Sequence, residues 1–247
     1  MKMAIMQPYF FPYLGYFQLI KAVDKYILYD NLNYIKNGWI NRNRLLEINK
    51  NPVYVTVPIQ QKSSFFKIKE LEIDNTQPWR RKLLKFLNHN YKRSAYYQET
   101  YPLIENIINC DEKYLSELNI RSIKLLCAYL DIRVDFNYDI QSYEKLEKEL
   151  SNPEQNSNSP SNIMTTRILK LCRHEKATTY VNAIGGRELY SKETFAQAGI
   201  ELYFLKSLPY SYQQNSNQFF EHLSIIDVLM NCGRAETKRM LDKYELV

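Results

Sequence analysis

Three cationic side chains near the N-terminus are spaced closely enough to hold one phosphorylated ligand. Lys36, Arg42 and Arg44 fall within nine residues, and Trp39 lies between them. An arginine guanidinium binds phosphate oxygens through paired N–H donors, whereas a lysine ammonium binds them as a point charge. Trp39 offers a flat ring on which a base or a sugar could stack. The segment therefore predicts a diphosphate site; the alternative is a solvated basic loop anchored by Trp39.

Asparagines alternate with the two arginines in this segment. Each asparagine amide can both donate and accept hydrogen bonds. Solvation alone does not require an Asn-Arg-Asn-Arg run, so the pattern favours a binding site. The residues of this segment that we predict to contact substrate are Trp39, Asn41, Arg42, Asn43 and Arg44, with Lys36 as a catalytic candidate.

A bend rich in proline and aromatic residues follows the first apolar run. Its sequence is MQPYFFPYLGYFQLI, residues 6–20. Pro12 fixes the backbone, Gly15 permits close approach, and the helix predicted to follow would present free amides to an anion. The rings could wall a pocket for a base or sugar, or they could plug the edge of a sheet. The bend residues predicted to contact substrate are Gln7, Tyr9, Phe11, Pro12, Tyr13 and Gly15, with Tyr16 as a catalytic candidate.

A second strand-to-helix turn lies in the C-terminal half. Gly185 and Gly186 follow the predicted strand TTYVN, which ends at Asn182, and they precede a predicted helix. Backbone amides at such a turn could hold an anion. We predict that all three residues contact substrate, although two glycines also fit an ordinary turn.

His222 is a candidate general base, because an unperturbed histidine titrates near neutral pH. Asp227 follows five residues later on a predicted helix, a spacing that turns the two side chains about 140° apart. They therefore do not form an obvious dyad. We predict His222 as catalytic and Asp227 as a substrate contact; the alternative gives both of them structural hydrogen bonds.

The elements that must position these residues alternate between strands and helices. Apolar runs and two-residue alternation predict strands at 3–7, 25–29, 52–59, 68–73, 132–136, 178–182 and 200–205. Three- and four-residue spacing predicts helices at 14–23, 79–91, 96–109, 112–130, 163–172, 188–198, 218–231 and 235–244. Residues 31–44 and the Ser/Asn/Pro-rich stretch 151–162 are predicted loops.

This alternation predicts an α/β fold with a mainly parallel, Rossmann-like sheet flanked by helices, in one domain of residues 1–247. In such sheets ligands bind at the carboxyl ends of the strands. The bend follows the first predicted strand, which is the expected position for a site.

The composition of the chain limits the classes of ligand and the cellular compartment that we expect. The 247 residues carry a net charge of +6, which suits an anionic ligand, but the basic residues are scattered and match no nucleic-acid-binding signature. Four cysteines without a Cys-x-x-Cys pair and three scattered histidines predict reduced thiols and no metal site. Residues 3–6 are too short for a signal peptide, and no apolar run could span a bilayer. We expect a cytoplasmic protein without membrane insertion, and leave homo-oligomerisation open.

The start of the chain resembles nucleotidyltransferases of the HIGH-motif superfamily, in which two histidines flank a glycine after strand one. Tyr13 and Tyr16 stand at these positions around Gly15. A tyrosine offers a neutral hydrogen bond where an imidazolium would offer charge. The resemblance implies a nucleotide pocket and, if nucleotidyl transfer takes place, a divalent cation; no other cofactor is implied.

A resemblance to the WbqC-like family covers nearly the whole chain. It rests on four blocks in order: residues 6–20, YIKNGWINRNRL (34–45), YVNAIGGRELY (180–190) and HLSIIDVLMNCG (222–233). Members are bacterial proteins, many encoded with genes for O-antigen and other surface polysaccharides. The resemblance implies a role in making or decorating those sugars. The chain departs from the pattern at Asn182-Ala183, where Ser-Gly is expected.

Three hypotheses follow. The first is an enzyme that binds a nucleotide-activated sugar and transfers an acyl or aminoacyl group to a sugar amine, chiefly by positioning and deprotonation. The second is a modified HIGH-type nucleotidyltransferase that uses Lys36 and Arg42 in place of the histidines. The third is a non-catalytic module that binds a sugar nucleotide. In each case the predicted partner is a nucleotide or nucleotide-sugar small molecule and not a nucleic acid.

Overall fold

A computed structural model describes residues 1–48, 51–61, 63–138, 143–150 and 160–247. The strands are β1 (Lys2–Met6), β2 (Lys25–Leu28), β3 (Arg42–Leu46), β4 (Pro52–Thr56), β5 (Asp135–Asn137), β6 (Thr179–Ala183), β7 (Glu201–Ser207) and β8 (Tyr244–Leu246). The helices are α1 (Leu14–Lys21), α2 (Trp79–Tyr91), α3 (Tyr97–Ile108), α4 (Leu115–Tyr129), α5 (Glu144–Leu150), α6 (Pro160–His174), α7 (Lys192–Gln197) and α8 (Ile225–Met240).

Six strands form the main sheet, in the order β5-β2-β1-β6-β7-β8. All neighbouring pairs are parallel except β7 and β8, which are antiparallel. β3 and β4 form a separate antiparallel hairpin. The predicted α/β class with a mainly parallel, Rossmann-like sheet is confirmed.

Both faces of the main sheet are buried, which explains why its central strands are apolar at successive positions. Ala4 of β1 packs into a core with α1, α4 and α8. The adjacent Met3 and Ile5 point to the opposite face and pack with α6 and α7. Among the described residues, no helix is both long and apolar enough to cross a bilayer.

The sheet opens between β1 and β6 at their carboxyl ends. These two strands pair only at Lys2↔Thr179 and Met3↔Tyr180. Beyond these positions β1 stays paired with β2 as far as Met6, and β6 stays paired with β7 as far as Ala183. The chain also turns in opposite directions here, from β1 to β2 and from β6 to β7. This β1/β6 opening is therefore the topological switch point, where ligands bind in open α/β sheets.

Several segments differ from the sequence-based prediction, two of them in the N-terminal half. Residues 42–46, predicted to belong partly to a loop, form β3, in which Asn43 and Leu45 face inward and Arg42 and Arg44 face outward. Because the inward position 43 is an asparagine, the alternation of buried and exposed residues in β3 does not appear as an alternation of apolar and polar residues. Residues 68–73, predicted as a strand, begin with the 3₁₀ helix Ile68–Glu70. Ile68 and Leu71 are both fully buried at a spacing of three, which suits that geometry.

The last long helix starts later than predicted. It begins at Ile225, because the Ser224 side chain caps it by accepting from Ile226 N. The apolar residues at 218–224 have helical spacing, which led to the prediction of a helix there, but these residues lie in irregular structure. The helix runs on to Met240 through a kink at Gly233, whose φ and ψ are 69° and 178°. Of the predicted second helix at 235–244, residues 235–240 form the distal part of α8, and Tyr244 begins β8.

The other boundaries agree closely with the prediction for α1–α4, β1, β2, β6 and β7. In the predicted loop 151–162, residues 151–159 lie outside the described residues, and 160–162 begin α6. A proline at the first helical position fits this start. The single domain of residues 1–247 stays a prediction.

Candidate functional site

The bend follows β1 directly at the β1/β6 opening, and its residues are divided between core and surface. Phe10 and Phe11 are buried and meet edge to face, with ring centroids 4.9 Å apart. Tyr16 is buried as well, and its hydroxyl donates to Gln7 O at 2.8 Å. The residues of the bend that stay partly exposed are Met6, Gln7, Tyr9 and Tyr13.

Gly15 allows the first turn of α1 to pack closely at this edge. A Cβ at Gly15 would lie 2.6 Å from Tyr13 Cε2 and 3.1 Å from Ser207 Oγ, at the end of β7. The missing side chain thus lets the Tyr13 ring fold over the helix start. The predicted close approach at Gly15 is made to the protein's own side chains.

The 34–45 segment packs directly on the bend, so the structure brings these two predicted regions together. Phe10 N donates to Trp39 O at 3.1 Å. The buried Asn43 amide donates to Phe10 O at 3.0 Å and to Phe11 O at 2.7 Å. Phe11 has φ 40°, a left-handed conformation that costs a non-glycine residue on the order of 1 kcal/mol. Asn43 contributes by fixing the backbone there.

The start of α8 supports the same bend from a third direction. Ser224 Oγ donates to Phe11 O at 2.8 Å, and Ile225 N donates to Pro12 O at 2.9 Å. Phe11 and Pro12 are buried by these contacts. Their role in the structure is to shape the bend.

The three cations of the segment have different surroundings. The Arg42 guanidinium stacks over Tyr54, 4.2 Å from the ring centroid, and donates to the carbonyls of Asn37 and Gly38. Arg44 Nη2 donates to Glu221 O at 3.0 Å, while Arg44 Nε is buried without a partner among the described residues. Lys36 is exposed and faces solvent. Of the three, Lys36 is therefore the cation most available to a ligand.

Lys36 borders a cavity of about 400 Å³ that also touches Tyr34 and Asn41. The Asn41 amide accepts from Tyr34 Oη and donates to Val57 O, each at 3.0 Å. Asn41 therefore supports the cavity wall. Trp39 is 39% exposed beside Tyr54, with ring centroids 6.2 Å apart.

His222 lies next to the bend and not on a helix. Its ring meets Tyr13 edge to face at a centroid distance of 5.6 Å, and its side chain is 59% exposed. Its φ of 56° places it in the irregular segment before α8. The predicted helical spacing of His222 and Asp227 is therefore wrong, because α8 begins after His222.

Asp227 is completely buried in the first turn of α8. Its two carboxylate oxygens accept from Tyr91 Oη and Tyr212 Oη, each at 2.7 Å. Burial raises the pKa of Asp227 above its ordinary value, in opposition to these hydrogen bonds. All these contacts are internal, and they favour the structural alternative for this residue.

The glycine turn lies on the other side of the β1/β6 opening. The 3₁₀ turn Ile184–Gly186 follows β6 directly. Asn182 Oδ1 accepts from Ala183 N at 2.9 Å, and a Cβ at Gly186 would lie 2.3 Å from Asn182 Nδ2. Gly185 is exposed, with no atom within 4 Å of an added Cβ. Gly186 is needed for packing, whereas the space around Gly185 is open.

Comparison with known proteins shows the family to which this chain belongs. The sequence profile of the WbqC-like protein family matches residues 7–239. The chain belongs to the WbqC-like protein family. Over 238 residues this WbqC-like protein is 32% identical to "Uncharacterized protein Rv1507c" of Mycobacterium tuberculosis (strain ATCC 25618 / H37Rv), and the alignment covers 94% of each chain. No solved structure matches it.

The three bend tyrosines of this WbqC-like protein are neutral hydrogen-bonding groups. Burial, with a smaller effect of Tyr13, raises the pKa of Tyr9 to about 12. Burial likewise raises the pKa of Tyr13, and it raises that of Tyr16 well above the ordinary value. At the two positions where the HIGH motif has histidines, neither phenol can carry a positive charge. Among the described residues, no cluster of three or more His, Cys, Asp or Glu side chains could hold a metal ion.

Sequence reasoning missed a cavity at the neighbouring strand ends of this WbqC-like protein. It has a volume of about 720 Å³ and is bordered by Asp30, Lys69, Ser116, Lys124 and Tyr138, among others. Asp30 follows β2 and Tyr138 follows β5, so the cavity lies at the carboxyl edge of the sheet. One feature of the sequence could have indicated this cavity, because Asp30 is a charged residue directly after a predicted apolar strand.

Proposed function

We propose that this WbqC-like protein binds a nucleotide-activated sugar at the carboxyl edge of its sheet and acts in bacterial surface-polysaccharide (O-antigen) biosynthesis. The supporting observation is the β1/β6 opening, where the half-exposed bend residues follow β1 and the exposed Gly185 follows β6. A turn with free amides suits a diphosphate, and aromatic rings suit a base or a sugar. We place this activity in the cytoplasm.

The reaction we propose is acyl or aminoacyl transfer to an amine on the sugar. The amine nitrogen attacks the carbonyl carbon of an activated acyl donor such as a thioester. A nitrogen–carbon bond forms, the carbon–sulfur bond breaks, and the amine loses a proton. His222, which is exposed beside Tyr13, is the candidate base for that proton.

Binding can be tested by isothermal titration with UDP-glucose, UDP-N-acetylglucosamine, dTDP-glucose and GDP-mannose. Gly185→Asp would place a negative charge at the opening, and we expect it to weaken binding at least tenfold because a carboxylate repels a diphosphate. Gly185→Ala is the matched control, since its Cβ meets no atom within 4 Å. Wild-type affinity in Gly185→Asp would show that the ligand does not use this opening.

A modified nucleotidyltransferase is the alternative, and the exposed Lys36 beside its cavity is the observation that favours it. This reaction would join a nucleoside triphosphate to a sugar phosphate with a divalent cation. Release of pyrophosphate, lost in Lys36→Met, would identify it. Binding of nucleotide sugars without turnover of either kind would identify a non-catalytic binding module.

A further inference from the structure

The cavity beside Asp30 lies at the carboxyl ends of β2 and β5, next to the β1/β6 opening. Its volume of about 720 Å³ lies within the range of small-molecule sites, about 300–1,000 Å³. Neighbouring strands are about 4.8 Å apart, so the end of β2 is one strand spacing from the end of β1. A sugar diphosphate is long enough to reach from one place to the other.

Helix α4 joins the cavity to the bend. Its first turn supplies Ser116 to the cavity, and one turn later the Asn119 amide donates to Pro8 O at 2.9 Å and to Ile40 O at 2.8 Å. Asn119 is completely buried. The helix therefore fixes the distance between the cavity and the bend.

Most charged groups around the cavity have partners of their own. Three of these contacts are Arg121 Nη1 to Glu112 Oε1 at 3.6 Å, Tyr114 N to Glu117 Oε2 at 3.4 Å, and Lys124 Nζ to Tyr138 Oη at 3.2 Å. No hydrogen bond or ion pair engages the Lys69 ammonium among the described residues, although its charge is close enough to Asp30 to lower the pKa of that carboxyl. Asp30 and Lys69 are the opposite charges that a ligand in the cavity would meet.

Asp30 is 6% exposed and lines the cavity, and the Ser116 hydroxyl donates to its Oδ2. The Asp30 backbone amide and the nearby Lys69 charge also stabilise this carboxylate. A carboxylate offers about four lone-pair positions, so part of its accepting capacity remains free. A buried carboxylate needs hydrogen-bond donors and disfavours a phosphate. Hydroxyl and amine groups are such donors, and they are what a sugar ring presents.

We propose that the cavity binds the sugar ring of the nucleotide sugar, with Asp30 accepting hydrogen bonds from its hydroxyl or amine groups and Lys69 donating to its oxygens. This assignment rests on the proposed function, with the diphosphate at the β1/β6 opening. Burial raises the pKa of Asp30 despite the Ser116 hydrogen bond, which is consistent with a carboxylate that lacks sufficient donors until the sugar is bound.

The test compares the tightest-binding nucleotide sugar of the four above with its parent nucleoside diphosphate, by titration calorimetry. For Asp30→Asn we expect at least a tenfold loss of nucleotide-sugar affinity, with affinity for the nucleoside diphosphate changed less than twofold. Glu112→Gln is the matched control, because it removes a rim carboxylate that is already paired with Arg121. Lys69→Met provides a second variant if Asp30→Asn does not fold, with the same selective loss expected.

The outcomes separate the two proposals. If wild-type protein binds none of the four nucleotide sugars, the proposed function fails, and this assignment fails with it. If wild type binds but Asp30→Asn and Lys69→Met bind equally well, only the sugar assignment is overturned. An equal loss for the nucleoside diphosphate would also overturn it, because the cavity would then hold the nucleoside.

Discussion

At the scale of single residues, Asp227 shows how a polar side chain in a family motif can serve the fold. Removing it leaves the hydroxyls of Tyr91 and Tyr212 buried without their acceptor. We expect Asp227→Ala to lower the free energy of unfolding by about 3 kcal/mol, measured by urea denaturation. His222→Ala is the comparison, and its exposed side chain predicts a change within about 0.5 kcal/mol. Equal effects of the two variants would contradict this distinction.

The same carboxyl group predicts a pH dependence. Burial raises the pKa of Asp227 above its ordinary 3.8, so the native state keeps a proton that the unfolded state has lost. Between the two pKa values, the free energy of unfolding therefore falls as pH rises. In urea titrations at increasing pH from about pH 4, the stability of wild type relative to Asp227→Asn should decrease as pH rises. A relative stability that rises with pH would refute the raised pKa.

At the scale of elements, the kink in α8 depends on Gly233. Its φ of 69° suits glycine, and an added Cβ would lie 2.4 Å from Tyr96 Cδ1. We expect Gly233→Ala to cost about 2 kcal/mol or more in unfolding free energy. Removing the ring in Tyr96→Ala should relieve the clash but not the backbone strain, giving a coupling of about 1 kcal/mol in a double-mutant cycle. As a control, Gly185→Ala should leave the free energy of unfolding nearly unchanged. A double-mutant cycle without coupling between Gly233→Ala and Tyr96→Ala would refute the predicted clash.

At the scale of the whole molecule, the four cysteines are free and differ in burial. Cys127, Cys172 and Cys232 are buried and Cys110 is half-buried. Burial raises the pKa of both Cys172 and Cys232 to about 12, so their reactive thiolates are scarce. We expect iodoacetamide at about pH 8 to label Cys110 first in the native protein and all four thiols in guanidinium. Intact-mass spectrometry counts the labels; rapid labelling of all four in the native protein would contradict this burial.

The sequence by itself determined the α/β class, the family and most element boundaries. Apolar runs such as residues 3–6 and helical spacing such as that of α2 depend on neighbours close along the chain, and local periodicity reports burial directly. The predicted loop boundary at β3 was wrong because a polar residue, Asn43, occupies an inward position. The predicted start of α8 was wrong because Ser224 caps the helix after a run of apolar residues with helical spacing.

Tertiary structure alone decided where the opening lies and which polar groups remain for a ligand. The β1/β6 opening depends on pairing between strands more than 170 residues apart in sequence. Arg42 and Asp227 look like ligand contacts in the sequence, yet Tyr54 and Tyr91 engage them in the fold. Lys69 gave no such signal, and the position of Asp30 directly after a strand did not by itself reveal the cavity that both residues line. A residue's type states which bonds it can make, but only the arrangement of distant segments determines which of those bonds the protein itself uses.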